Sequence, residues 1–323
     1  MAQSWTLDTI GGSGTGTYKN MALSDQLYEA AFEKTELMNW VTPAGGFGKK
    51  KGESLDIPTI TGPAEPSSAV LTENVRIPED TVALTNNRLT VQEFGRAITH
   101  SNLFDELSKF DMKNRIQKRL REQMRLSLDF HSAAAGFRTF KHCYTATGVA
   151  AATVDTNGTP SVAQAANLNV FHLQAIRDLL YGSLKAPFFG DGDTYIGVAS
   201  WAACRGLRSD PLWKEWYVQG HPEKLERGEI GMIESIRIIE TNHDTALKNA
   251  SLGGGITGGE AFIFGDEAVA FIEAQSPELR IKVGDDYGRT QGVAWYGILQ
   301  WGLYHNTANA REARGVRFTG NQY

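Results

Sequence analysis

Residues 102–135, NLFDELSKFDMKNRIQKRLREQMRLSLDFHSAAA, decide how the rest of the chain is read. Leu103, Leu107 and Phe110 open an apolar stripe. Ile116, Leu120, Met124 and Leu128 continue it every fourth residue, the spacing of one face of an α-helix. Asn102 or Ser101 can cap its start, and Asp105 and Glu106 fall in the first turn, where the helix dipole favours anions. No Pro or Gly interrupts the pattern before Gly136. At 1.5 Å per residue it predicts roughly 50 Å of helix, long for a compact globule. Its middle carries Lys113, Arg115, Lys118, Arg119, Arg121 and Arg125, opposed only by Glu122.

That helix is the basic exception in an acidic chain. The 323 residues carry a formal charge of −5, whereas residues 99–140 hold 8 basic and 5 acidic groups. The net charge argues against a general polyanion binder. The local excess reads either as a solvated helix face or as a surface that meets an anion. The chain is 41% hydrophobic and 10% aromatic, which suffices for a real core. No apolar run is long enough for a spanning helix, and the first residues lack the basic and apolar blocks of a secretory signal. Cys143 and Cys204 are too few for a disulfide framework, so a reducing environment is the expectation.

Upstream of the helix the composition changes twice. TIGGSGTGT (9–17) has glycines but neither the GK[ST] nor the preceding strand of a phosphate loop, and it reads as an extended arm. Residues 22–40 read as a helix with Ser24 as N-cap. Residues 41–100 contain Pro43, Pro58, Pro63, Pro66 and Pro78, half of the ten prolines, between short alternating pieces such as Leu55-Asp56-Ile57 and 89–94. These are strands broken by turns. A two-stranded ribbon poor in large apolar residues is marginal alone, so it must lie on its own body or on a neighbour.

Downstream, residues 162–184 read as a helix and 194–199 as a buried strand running into a short helix at 200–209. Asp210 and Pro211 start another helix. Residues 228–242 read as a strand, a tight reversal and a second strand, and 261–265 as a further strand. Ile281–Val283 and 293–305 read as the last long strands. In the latter, Val293, Trp295, Leu299, Trp301 and Leu303 share one face and Tyr296, Ile298, Gln300 and Tyr304 the other, so both faces should be covered.

Catalytic and metal signatures do not assemble. His100, His131, His142, His172, His221, His243 and His305 form neither HxxxH nor HExxH. Asp191-Gly192-Asp193 and Asp285-Asp286 lack calcium-loop spacing and read as turn acids. GGGITGGE (253–260) is followed by neither the Lys nor the acid of a nucleotide loop, and it reads as a flexible reversal. No cofactor, metal or catalytic residue is therefore assigned.

The order of parts resembles tailed-phage major capsid proteins of the Hong Kong 97 fold. The most specific stretches are YIGVASWAACRGLRSDPLW (195–213) and RGEIGMIESIRIIETN (227–242), which look most like the coat family of podoviruses such as coliphage N-four. The resemblance implies an α+β chain divided into four parts. Residues 1–48 would be an N-terminal arm with a short helix, and 49–98 an extended β-hairpin loop. Residues 99–137 and 270–305 would form a peripheral domain around the spine helix, and 138–269 with 306–323 an axial α/β domain.

It further implies a coat protein, not an enzyme, that self-assembles into pentamers and hexamers of an icosahedral shell around double-stranded DNA. Assembly would occur in the host cytoplasm, and the protein would reside in the virion. Expected partners are other copies, a scaffolding protein, a portal, packaged DNA through non-specific charge contacts, and a decoration protein, with no membrane. Spine-helix residues Lys113, Arg115, Lys118, Arg119, Arg121 and Arg125 would face DNA or a partner. Two other readings remain: an α/β enzyme with a glycine-rich ligand loop, and another virion structural protein.

Overall fold

A computed structural model describes residues 33–45, 48, 52–60, 70, 71, 73, 76, 77, 79, 84–103, 112–190, 192–220, 231–243, 245–247, 259–282 and 289–320. The expected arm, the helix over 22–32, Lys49–Lys51, Asp191, Gly253–Thr257 and Asp285-Asp286 lie outside them. In chain order the strands are β1 (Thr42–Pro43), β2 (Ser54–Ile60), β3 (Leu84–Thr90), β4 (Gln92–Ser101), β5 (His142–Gly148), β6 (Ala151–Asp155) and β7 (Tyr195–Ser200). They continue as β8 (Met232–Ile233), β9 (Ile236–Thr241), β10 (Gly259–Phe264), β11 (Val269–Ile281), β12 (Thr290–Leu303) and β13 (Gly315–Gly320). The α-helices are α1 (Met112–Ala135), α2 (Val170–Asp178), α3 (Trp201–Ser209) and α4 (Pro211–Gly220).

One sheet has the order β1-β11-β12-β4. Helix α1 lies on it, and the part of the expected stripe from Leu120 to Leu128 packs, while Leu107 and Phe110 lie outside the described residues. Leu120 and Met124 meet Val293 and Trp295, while Leu128 meets Leu299 and Trp301. Trp295 Nε1 donates to Gln123 Oε1 at 2.7 Å, so the large ring is buried without stranding its N–H. Leu103, expected to begin the stripe, is 68% exposed. The described helix spans 24 residues, about 36 Å.

The second sheet has seven strands in the order β6-β5-β13-β10-β7-β9-β8. Every residue of its central strands β7, β10 and β13 is buried. Alternate side chains serve two cores. Ala261 and Ile263 face Leu173, Ile176, Ala203 and Trp213 from the helices. Phe262 and Phe264 face Phe137, Phe140, Leu37 and Leu247.

Glu260 is fully buried among these aromatics. Arg317 Nε donates to Glu260 Oε1 at 2.7 Å, and Arg138 Nη2 donates to Oε2 at 2.9 Å and to the Ala246 carbonyl at 2.8 Å. Arg138 sits in the 3-10 turn Phe137–Thr139 just after α1, so this triad fastens the helix end to the sheet.

The structure differs from the sequence expectation in four elements. Residues 33–36 are irregular and Leu37–Trp40 is a 3-10 turn, where an α-helix was expected. The helix expected over 162–184 begins only at Val170, because Ala165 and Ala166 donate to the Ala146 carbonyl and Asn169 accepts from the His172 amide as N-cap. It ends in a π-turn, Leu179–Ser183. Of the strand expected at 281–283, Ile281 is the last residue of the thirteen-residue β11, Lys282 is irregular, and Val283 lies outside the described residues. Finally, 89–94 is not one strand: the chain changes partner at Val91, with β3 on β2 and β4 on β12.

Two outcomes are expected. Replacing Glu260 with Gln leaves two guanidinium groups around a neutral side chain, and unfolding by denaturant should show a loss of about 3–5 kcal/mol. His172, fully buried, has its pKa pushed down to about 4 by burial. The unfolded chain binds that proton below about pH 6.5, so stability should fall as pH falls from 6.5 towards 4, by roughly 3 kcal/mol. His172→Gln should flatten that part of the stability–pH curve.

Candidate functional site

Two surfaces and one buried pair bear on what the chain can do: the basic face of α1, the ribbon of β2 and β3, and Asp129 with His243. Helix geometry sorts the six cations. Lys118, Arg121 and Arg125 are exposed and, spaced three and four residues apart, lie on one outward stripe. Arg125 Nη1 lies 3.9 Å from Glu122 Oε2, a loose and exposed pair. Arg115 and Arg119 are half-buried on the flank of that stripe. Lys113 belongs to the helix, but its side chain lies outside the described residues. The structure thus brings three of the six onto one open stripe and turns two aside.

The base of the ribbon rests on the chain's own body. Ile57 and Leu89 are buried against Ala270 and Ile272, with Leu55, Val91 and Tyr304 around them. Asn87 Nδ2 donates to the Leu303 carbonyl. Leu89 packs over Gly302, where a β-carbon would displace the Leu89 methyl. Away from the base the apolar side chains are open: Ile60 is 65% exposed, Leu84 70%, Val70 92% and Ile77 65%. Among the described residues the ribbon is therefore anchored at its base and exposed at Ile60 and Leu84. Across it, Arg88 pairs with Asp56 in two bonds of 2.7 and 2.9 Å, and this guanidinium holds the Asp56 carboxyl below its usual range.

The most enzyme-like pair in the described chain is a fastener. Asp129 on α1 is fully buried, and its Oδ2 lies 2.8 Å from His243 Nδ1. His243 Nε2 lies 3.5 Å from Glu33 Oε2. Both ring nitrogens therefore face carboxylates. Around the pair, Met38 N donates to Asp129 Oδ1 at 3.1 Å, and Thr241 Oγ1 donates to the Lys34 carbonyl at 2.6 Å. Residues 33–44 thereby strap the end of β9 to α1 and run on to β1, which pairs with β11. Sequence reading placed Asp129 simply within the helix and left His243 unassigned, because partners 114 positions apart give no local signal.

An open groove of about 460 Å³ lies between Gly148–Val149, residues 165–169 and Gly206–Pro211. Its acid, Asp210, uses Oδ2 to accept from Val170 N and Oδ1 to accept from Leu212 N, both at 2.9 Å, so it caps two helices at once. Cys204 and Cys143 are buried, and burial raises both thiols, which keeps them protonated.

Comparison with known proteins gave matches of structure only. No protein-family model matches the chain, and no curated protein matches it by sequence. The head structure of Helicobacter pylori bacteriophage KHP40 matches at a TM-score of 0.70 and 12% identity, covering 99% of this chain and 100% of that one. The acid-stable capsid structure of Helicobacter pylori bacteriophage KHP30 matches at 0.69 and 12%, covering 98% and 100%. The capsid of cyanophage P-SCSP1u matches at 0.66 and 10%, covering 96% of each. The chain has a phage coat fold. Within that fold the α+β expectation holds over nearly the full length, with the long helix on one sheet and the buried strands in the other.

The strap makes a prediction of its own. Asp129→Ala should leave His243 buried beside Glu33 alone and free the Met38 amide. Hydrogen exchange of residues 34–40 should rise at least tenfold, while β10 and β13 stay protected.

Proposed function

We propose that this chain is the major capsid protein of a tailed phage, of the Hong Kong 97 type, without enzymatic activity. The observation that carries the reading is the match of fold to phage capsid chains across nearly the whole of both chains. The exposed apolar side chains away from the ribbon base support it physically. Ile60, Val70, Ile77 and Leu84 would be a cost to an isolated subunit and a gain to an assembled one. Obligate interfaces of roughly 2,000–5,000 Å² are built from such surface.

On this reading the copies form pentamers and hexamers of a closed shell around double-stranded DNA, built in the host cytoplasm with scaffolding protein and portal. The domains follow the chain as read from the sequence: arm 1–48, extended loop 49–98, peripheral domain 99–137 with 270–305, and axial domain 138–269 with 306–323. A decoration protein and kinship with the coat proteins of podoviruses like coliphage N-four belong to the same reading. Lys118, Arg121 and Arg125 form the stripe that would meet phosphate or an acidic partner without reading sequence.

Electron microscopy and sizing of the purified protein test the assignment. Shells or capsomers of megadalton mass are expected, and a 35 kDa species that never assembles would overturn it. Reversing Arg121 and Arg125 to Glu tests the stripe. Closed shells that retain DNA poorly indicate a DNA-facing role, whereas failed assembly indicates a protein-facing one.

A further inference from the structure

Two carboxylates converge on one buried imidazole. Nδ1 of His243 lies 2.8 Å from Asp129 Oδ2, and Nε2 lies 3.5 Å from Glu33 Oε2. Asp129 belongs to α1 and Glu33 to the strap of residues 33–44, so the ring stands between helix and strap. Asp129 is fully buried, and its other oxygen accepts from the Met38 amide. Among the described residues neither carboxylate pairs with Lys or Arg. The charges nearby are already matched, Lys34 with Glu36 and Arg138 with Glu260. The main chain of His243 is fixed whatever the ring carries. Its amide donates to Thr241 Oγ1, and its carbonyl accepts from Ala246 N and Leu247 N.

A carboxylate taken out of water needs a counter-charge or a full set of donors. One amide and one neutral ring N–H leave Asp129 short of both. The second contact is more telling. With a proton on Nδ1 alone, the Nε2 lone pair faces the Glu33 carboxylate, two acceptors with no hydrogen between them. With both protons in place, Nδ1 donates to Asp129, Nε2 donates towards Glu33, and a single positive charge serves two acids. The arrangement of strap and helix is therefore that of an imidazolium.

We infer that His243 is a pH-governed latch: as an imidazolium it holds the start of the strap through Glu33, and on losing its Nε2 proton it lets that end go. The helix side of the joint survives the loss, because Nδ1–H stays on Asp129 Oδ2 and Met38 N stays on Oδ1. What weakens is the Glu33 end. Next to it, Lys34 N donates to Asn242 Oδ1 at 2.6 Å, and the Lys34 carbonyl accepts from Thr241. The sign follows from which form makes the contact. The cation exists only below the ring's titration, so the strap is closed at lower pH and loosens as pH rises. Both partners belong to one subunit, so the latch works with or without assembly.

NMR of subunits isotopically labelled in the histidine rings reads the charge of His243, whose signals are those lost in His243→Gln. Amide exchange of Lys34, expressed as a protection factor, reads the strap. From about pH 5 to about pH 9, a range that spans histidine titration, the ring should pass from imidazolium to neutral. Lys34 protection should fall about tenfold with it, while β10 and β13 stay protected. Glu33→Gln should abolish that fall, because its amide can donate to the neutral Nε2. A ring that keeps one charge state over the whole range would overturn the latch. So would a Lys34 amide indifferent to the ring's charge, or the same fall in Glu33→Gln as in the parent.

Discussion

One stretch of main chain, from Leu84 to Thr99, serves two sheets, bonding to β2 before Val91 and to β12 after it. Up to Val91 its odd residues bond to β2; beyond it, the even residues bond to β12. Backbone N–H and C=O groups are obligatory hydrogen-bonding groups, and a row of them left open is a template for another strand. The chain spends prolines and bulges to close its other long edges, at Pro58 and Pro277, and leaves these two plain.

The remaining structure can be understood as what holds that stretch in place. Helix α1 presses Leu120, Met124 and Leu128 onto β12, which gives β4 a rigid neighbour. Phe94 of β4 packs beside His131 and Trp301, with ring centres 4.7 and 5.5 Å away. At the far end of the helix, the Arg138–Glu260–Arg317 triad ties it to the buried strands of the second sheet. The Asp129–His243 pair closes residues 33–44 over the joint. Both fasteners are polar and buried, so each costs desolvation and is worth most as a way of specifying one arrangement of helix against sheets. The ribbon base, held by Leu89 over Gly302, fixes where β3 leaves the body.

Legibility in the sequence followed how local each signal was. The packing face of α1 could be read because Leu120, Met124 and Leu128 recur every fourth residue. β7 and β10 were legible as short continuous apolar runs. β11 was not, because Ala274-Gln275-Ser276-Pro277-Glu278 interrupts the pattern where the strand bulges away from β12. The start of α2 was misplaced because Val162 to Ala166 are helix-compatible residues, yet Ala165 and Ala166 bond to β5. The basic cluster was visible as composition. Only the three-dimensional helix separated the open Lys118, Arg121 and Arg125 from the half-buried Arg115 and Arg119. Asp129, His243, Glu260 and Arg317 could not be joined from the sequence, since each finds its partner through the tertiary fold.

The central claim is that this backbone edge is closed by other copies and not by the subunit itself. Residue-resolved amide exchange across 84–101, in dissociated subunits and in assembled particles, tests it most directly. The account predicts that Ile98 and His100 are protected in both states, while Ala97 and Thr99 exchange freely in the subunit and become protected on assembly. Slow exchange of Ala97 and Thr99 in the isolated subunit would contradict it, because the chain would then be sheltering its own edge.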